Sequence, residues 1–256
     1  MTHEIEIFPC LADNYGVLLH DNVSGATAAI DAPEAVPILA ALARRGWQLS
    51  DILVTHHHAD HVQGISELRA HFPQVRVSGP AAEETKIGGL DVRLKDGDLI
   101  SVGDLQARVI ETPGHTAGHI SYYFAEAHLL FAGDTLFALG CGRVFETPLP
   151  VMWDSLAKLR HLPPTTALYC GHEYTLNNGR FAMTIEPDNV ALSQRMSAVS
   201  AMRAAGKPTV PSTLAEEFAT NPFLRVDDPA LQRAIGMVGA EPAAVFAALR
   251  TRKDKA

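Results

Sequence analysis

The chain has 256 residues, 47% of them hydrophobic, and a formal net charge of −8, enough for one large domain or a domain with a smaller appendage. The acidic balance argues against a nucleic-acid partner. Cys10, Cys141 and Cys170 are widely spaced with no C-x-x-C pair, which excludes a disulfide framework or a zinc ribbon. No run approaches the roughly 18 apolar residues of a membrane span, and the first residues lack the basic and apolar pattern of a signal peptide. A cytoplasmic, monomeric protein without a membrane partner is expected.

In chain order, Glu4–Pro9, Tyr15–Leu19 and Ala26–Ile30 read as strands. Glu34–Arg45 has helical spacing and ends at Gly46, a plausible C-cap; Pro37 falls in the first turn, where it is tolerated. Ile52–Thr55 reads as a buried strand and Val62–Phe72 as a helix stopped by Pro73. Val75–Ser78, Asp91–Leu94, Leu99–Val102, Gln106–Glu111, Ile120–Phe124, Leu129–Ala132 and Ala167–Cys170 are further strands, with Asp96-Gly97-Asp98 a turn between two of them. After about Thr175 the chain turns helical, over Asp188–Ala205, Leu214–Phe218, Pro229–Ile235 and Pro242–Arg252. A boundary is expected near Leu176, giving an α/β domain at 1–175 and a helical domain at 176–256.

The segment Thr55–His61 reads T-H-H-H-A-D-H and follows an apolar strand. His56 and His58, at i and i+2 of an extended chain, point the same way. Asp60 and His61 enter the next helix and can reach a second point. Three other places end an apolar strand on a polar ligand beside a glycine: Pro113-Gly114-His115, Gly133-Asp134 and Gly171-His172. Together they supply His56, His58, His61, His115, His172, Asp60 and Asp134, a nitrogen-rich, thiolate-free set suited to zinc, iron or manganese. A single histidine after a strand is usually a capping or surface residue; four strand ends finishing alike are not. His3, His20, His57, His71, His119, His128 and His161 are assigned no metal role, His119 being the nearest to one.

At these residues the sequence resembles the metallo-β-lactamase superfamily, and within it the glyoxalase II family of hydroxyacylglutathione hydrolases. The resemblance rests on Thr55–Gly64, Thr112–His119 and Phe131–Phe137, and more specifically on Gly140–Arg143, Tyr169–Thr175 and Asn221–Arg225. It implies an αββα sandwich followed by a helical domain, and two divalent metal ions, zinc before iron or manganese. It implies that His56, His58 and His115 hold one ion, that Asp60, His61 and His172 hold the other, and that Asp134 bridges them. Glutathione-binding positions fall on Arg143, Tyr174, Arg250 and Lys253. Where some members have a tyrosine, this chain has Phe145.

The implied chemistry is hydrolysis of a glutathione thioester, with S-D-lactoylglutathione the usual substrate. Two metals sharing a hydroxide supply the nucleophile, with Asp60 and Asp134 holding the pair, and a thiolate leaving group departs without full protonation. Arg250 and Lys253, at i and i+3 on the last helix, share a face; on spacing alone they better suit the helix C-terminus, and it is the resemblance that implies substrate binding. Rival activities on the same fold are a lactonase, a β-lactamase and a mononuclear-iron persulfide dioxygenase. A non-enzymatic metal-binding module is a third class, against which stands a full ligand set.

Overall fold

The computed structural model describes residues 2–255. The chain divides into two compact units, residues 1–111 with 118–133, and residues 112–117 with 134–256.

The first unit contains β1 (His3–Cys10), β2 (Asn14–Asp21), β3 (Thr27–Ile30), α1 (Ala35–Arg45), β4 (Asp51–Leu53), α2 (Ala59–Val62), α3 (Ile65–His71), β5 (Arg76–Pro80), α4 (Glu84–Ile87) and β6 (Val92–Leu94). These strands form a six-stranded sheet in sequence order. The pairs β1–β2 and β2–β3 are antiparallel, and the rest are parallel. Parallel neighbours need a crossover, which α1, α2–α3 and the segment with α4 provide in turn. Ile38 and Leu42 of α1 and Leu68 of α3 share one core with Leu18, Ile52 and Val77 of the sheet and with Val54 just past β4. Successive β2 residues Val17, Leu18 and Leu19 are all buried, as in a sheet covered on both faces.

The other face meets an antiparallel meander of β7 (Leu99–Val102), β8 (Leu105–Glu111), β9 (Ile120–Phe124) and β10 (Leu129–Phe131). Asp96-Gly97-Asp98 carries the chain from one sheet to the other, with Gly97 at φ +83°, where a side chain is disfavoured. The buried Tyr122 hydroxyl donates to the Val54 carbonyl at 2.7 Å, and Ile120 N–H donates to Thr55 O at 3.0 Å. Both bonds tie the meander to the end of β4, where the histidine segment begins.

The single helix expected over Val62–Phe72 is instead two, α2 and α3, broken at Gly64. The Gly64 N–H donates to the Ala32 carbonyl at 2.9 Å. A Cβ here would lie 2.9 Å from both Ala32 O and Ala35 N. The apolar spacing is helical throughout, but close backbone approach interrupts it.

The second unit contains β11 (Leu136–Phe137), β12 (Gly140–Cys141), α5 (Leu149–Arg160), β13 (Ala167–Tyr169), α6 (Thr175–Ile185), α7 (Val190–Ala204), β14 (Ser212–Thr213), α8 (Leu214–Thr220), α9 (Pro229–Ile235) and α10 (Pro242–Asp254). Helix starts follow local chemistry. Asn189 caps α7, Thr213 and Glu216 form a capping box on α8, and Asp228 caps α9 ahead of Pro229, each satisfying donors that the first turn leaves open. Helix α10 packs on α5 through Trp153 and Phe246, with Phe246 also edge-on to Phe223. Helices α5 and α6 were not expected from the sequence. Pro148 and Pro150 look like punctuation, yet Pro150 sits in the first turn of α5, where no helical N–H is lost. In α6, Asn177-Asn178-Gly179 reads as a loop.

Gly64→Ala tests the break. In an ordinary helix this change stabilises by about 1 kcal/mol. Against rigid backbone it should instead destabilise by about 1–3 kcal/mol, read as a lower urea midpoint at unchanged slope.

Candidate metal centre

In the first unit the donors of Thr55–His61 are set by one buried carboxylate. Asp31, directly after β3, accepts from Thr55 N at 2.7 Å, from Thr55 Oγ1 at 2.8 Å and from His61 Nδ1 at 2.8 Å. A carboxylate only accepts, so His61 carries its proton on Nδ1 and a lone pair on Nε2. Thr55 Oγ1, already donating to Asp31, accepts from His56 Nδ1 at 3.0 Å, and His56 likewise keeps its lone pair on Nε2. That atom faces His58 Nδ1 at 3.2 Å. His61 Nε2 is 3.7 Å from Asp60 Oδ2, and Asn14 donates to the same oxygen and to the Asp60 carbonyl, both at 3.1 Å.

His57 is turned elsewhere. Its backbone N–H and its Nδ1 meet Glu83 Oε2 at 2.7 and 2.9 Å. Glu83 is buried, and its other oxygen accepts from Gly118 N at 2.9 Å. Glu83 thus fixes the backbone between His56 and His58. His119 is fully buried with its ring 5.0 Å from that of His56. Gly133, at φ +47°, passes so close that a Cβ would lie 2.6 Å from His119 Nε2 and from Thr55 Oγ1. That approach explains the glycine before Asp134.

In the second unit, His115 and His172 each place Nε2 3.3 Å from Asp134 Oδ2. All three residues are buried. His115 Nδ1 donates to the Arg143 carbonyl at 2.8 Å, which again leaves the lone pair on Nε2. His172 is held face to face with Tyr174, ring centroids 4.8 Å apart and planes at 6°, and Phe137 lies edge-on to both. The loop bearing His115 is anchored by Ser155 Oγ, which donates to Pro113 O at 2.6 Å.

Each unit therefore presents buried imidazole nitrogens next to a carboxylate, with the tautomers of His56, His61 and His115 fixed by their partners, the arrangement that suits divalent metals. Burial raises the Cys141 thiol to about 11 and the Cys170 thiol to about 12. Both stay protonated at neutral pH, in keeping with a thiolate-free donor set.

A cavity of about 390 Å³ in the second unit is lined by His115 and Asp134 together with Arg143, Tyr174, Arg250 and Lys253. All four substrate-binding residues expected from the sequence are thus gathered with two expected ligands. Arg143 is largely exposed. Arg250 is buried, its guanidinium donating to Cys141 O at 3.0 Å and to Asp254 at 2.9 Å. Lys253 donates to Asn177 O at 3.2 Å and lies 5.2 Å from the Phe181 ring centroid. Burial, and then the charge of Arg250, lower the Lys253 pKa. Phe145 is exposed, also lines the cavity, and its ring stands 5.3 Å from that of His115. Sequence reading missed Asp31, Glu83 and Asn14, which orient the ligands. Of these, only Asp31 carried a signal, an acid after the apolar run Ala28-Ala29-Ile30.

Two family models match the chain: the metallo-beta-lactamase superfamily over residues 16–172 and the hydroxyacylglutathione hydrolase C-terminus over residues 173–256. A hydroxyacylglutathione hydrolase from Rhodopseudomonas palustris is 57% identical over 254 residues, 99% of each chain. The crystal structure of ETHE1 from Myxococcus xanthus superposes with a TM-score of 0.65 at 25% identity, covering 99% of this chain and 98% of that one. A structure of TTHA1623 in a di-iron-bound form gives a TM-score of 0.56 at 26% identity, over 66% of this chain and 91% of that one. With an α/β region of two sheets, a helical tail and ligand motifs that coincide with the matched segments, the chain belongs to the hydroxyacylglutathione hydrolases of the metallo-beta-lactamase superfamily.

Proposed function

We propose that the chain hydrolyses the thioester of S-(2-hydroxyacyl)glutathiones. S-D-lactoylglutathione is the expected substrate, giving glutathione and D-lactate in the second step of methylglyoxal detoxification. The observation that carries this reading is the cavity in which His115 and Asp134 stand with Arg143, Arg250 and Lys253. It pairs metal-type donors with cations in a chain whose net charge is −8. A ligand with carboxylates is what such a local reversal of charge selects.

The donor chemistry fits divalent metal ions. For these we propose His56, His58 and His115 at one ion, Asp60, His61 and His172 at the other, and Asp134 shared. Zinc is our first choice for both, with iron or manganese as the alternatives. Bound there, a metal pair supplies an activated water at neutral pH and polarises the thioester carbonyl. The protein's part is orientation. Asp31, Thr55 and the Arg143 carbonyl fix which imidazole nitrogen bears the lone pair. Arg143, Arg250 and Lys253 hold the glutathione carboxylates, and Tyr174 lines the same cavity. The leaving thiolate, with a parent pKa near ~8.5, needs no dedicated acid.

On this reading residues 1–175 carry every ligand, and residues 176–256 contribute substrate binding through Arg250 and Lys253. A monomer suffices, since one chain supplies both sets. Three buried free thiols suit the reducing cytoplasm, where glutathione is abundant.

Asp134→Ala should lower kcat/KM for S-D-lactoylglutathione by more than about a hundredfold and reduce bound metal. His57→Ala, which keeps the backbone bond to Glu83, should stay within about tenfold of the parent. Elemental analysis beside the assay checks both, and equal losses with metal intact would refute the ligand assignment. Lactone, β-lactam and persulfide substrates assayed in parallel should show little turnover.

Lys253 gives a pH dependence. Its cation is disfavoured, so it loses its proton below the ordinary lysine value of 10.5. The kcat/KM profile, which reports the free enzyme, should fall as pH rises through that lowered value. Lys253→Met should remove this limb and raise KM by about tenfold at neutral pH.

A further inference from the structure

The hairpin β11–β12 turns through Ala138 and Leu139, and Leu139 has φ +59°, a strained conformation for a bulky residue. Each strand is two residues long, and among the described residues they pair only with each other. So short a ribbon does not hold its own conformation in water. Side chains from the helices of the same unit hold it instead. Leu139 N donates to Glu217 Oε2 at 2.9 Å. The Asn221 amide donates to Phe137 O at 3.2 Å and to Gly140 O at 3.0 Å. Asn178 donates to Ala138 O at 3.2 Å, and Arg250 to Cys141 O at 3.0 Å.

Glu217 is fully buried. Besides Leu139 N, it accepts from Asn221 Nδ2 at 3.0 Å and from Ser212 Oγ at 2.6 Å, and it pairs with Arg195. A buried carboxylate is costly unless fully matched, and this one is matched by the groups that fix the hairpin tip. Asn221 also accepts from Phe223 N at 3.0 Å, which joins the turn after α8 to the same cluster. The hairpin presents Phe137 and Cys141 to the cavity that holds Arg143, Tyr174 and Lys253.

We propose that Asn221 and Glu217 are positioning residues for glutathione binding, holding the Phe137–Cys141 hairpin in the shape that forms a wall of the substrate cavity. Neither residue lines that cavity; they act through the hairpin backbone. The inference rests on the thioesterase reading above. It assigns a role to the Asn-Pro-Phe-Leu-Arg segment beyond capping a helical turn.

The test is steady-state kinetics on the metal-loaded, full-length Asn221→Ala variant with S-D-lactoylglutathione. Far-ultraviolet circular dichroism and metal content should match the parent. KM should rise by about tenfold, and kcat should stay within about threefold. Titration calorimetry with glutathione should show a matching loss of affinity. A merely structural role would lower the melting temperature without this split. In a folded variant, KM within twofold of the parent, or a tenfold fall in kcat at unchanged KM, overturns the proposal. Should Asn221→Ala not fold, Glu217→Gln, which keeps the side-chain shape outside the cavity but weakens the acceptor for Leu139 N, is read by the same criteria. A parent that does not hydrolyse the thioester refutes the thioesterase reading; an active parent whose variants keep their KM refutes only the positioning role.

Discussion

The bond from His61 Nδ1 to Asp31, with the two bonds from Thr55 to the same carboxylate, is the constraint on which the first unit's chemistry depends. It ties the end of β3 to both ends of the histidine segment. It also propagates a proton order: Asp31 accepts from Thr55, Thr55 accepts from His56, and two imidazoles are left with defined tautomers. Losing such an outer partner typically costs about 10–100-fold in metal affinity or activity. Asp31 itself sits at φ +58°, a strained conformation that its three hydrogen bonds offset.

The second unit solves the same problem with different means. Here a backbone carbonyl, that of Arg143, orients His115, and a stacked phenol ring orients His172. The loops that bear ligands are irregular, so their polar backbone groups cannot satisfy one another. Side chains do it: Ser155 for Pro113, Asn178 for Ala138, Arg250 for Cys141. The helical tail is therefore more than a platform for cations, since Arg250 spends its guanidinium on Cys141 O and Asp254. On the proposed reading, its contribution to a carboxylate ligand is the field of its charge within the cavity.

Much of this was legible in the sequence. Apolar runs that stop at a histidine or aspartate beside glycine drew attention to His115, Asp134 and His172, and these three do stand together in the second unit. The longer strands were found within a residue or two, by continuous apolar runs where both faces are buried, as in β2 and β9, and by alternation in β1, whereas the two-residue strands β11, β12 and β14 gave no such pattern. Helix α9 was found because Asp228 and Pro229 cap it in a recognisable way. What stayed hidden depends on contacts distant in sequence. Glu83 lies 26 positions from His57 and Asn14 lies 46 from Asp60, and a lone acid or amide gives no sign of its partner. The break at Gly64 follows from backbone at Ala32 and Ala35, not from its own neighbours. Helix α5 was masked by prolines that its first turn accepts. Glu217 looks like an exposed acid of an amphipathic helix, and only the fold shows it buried.

Cys141 has a further consequence. It lines the cavity that also holds Arg143, Tyr174 and Lys253. Attack on a disulfide requires the thiolate. With the thiol pushed up to about 11 by burial, only about one molecule in ten thousand is ionised at pH 7. Arg250, whose charge favours the thiolate, does not reverse that balance. Burial thus keeps the Cys141 sulfur a protonated, weakly nucleophilic part of the cavity wall.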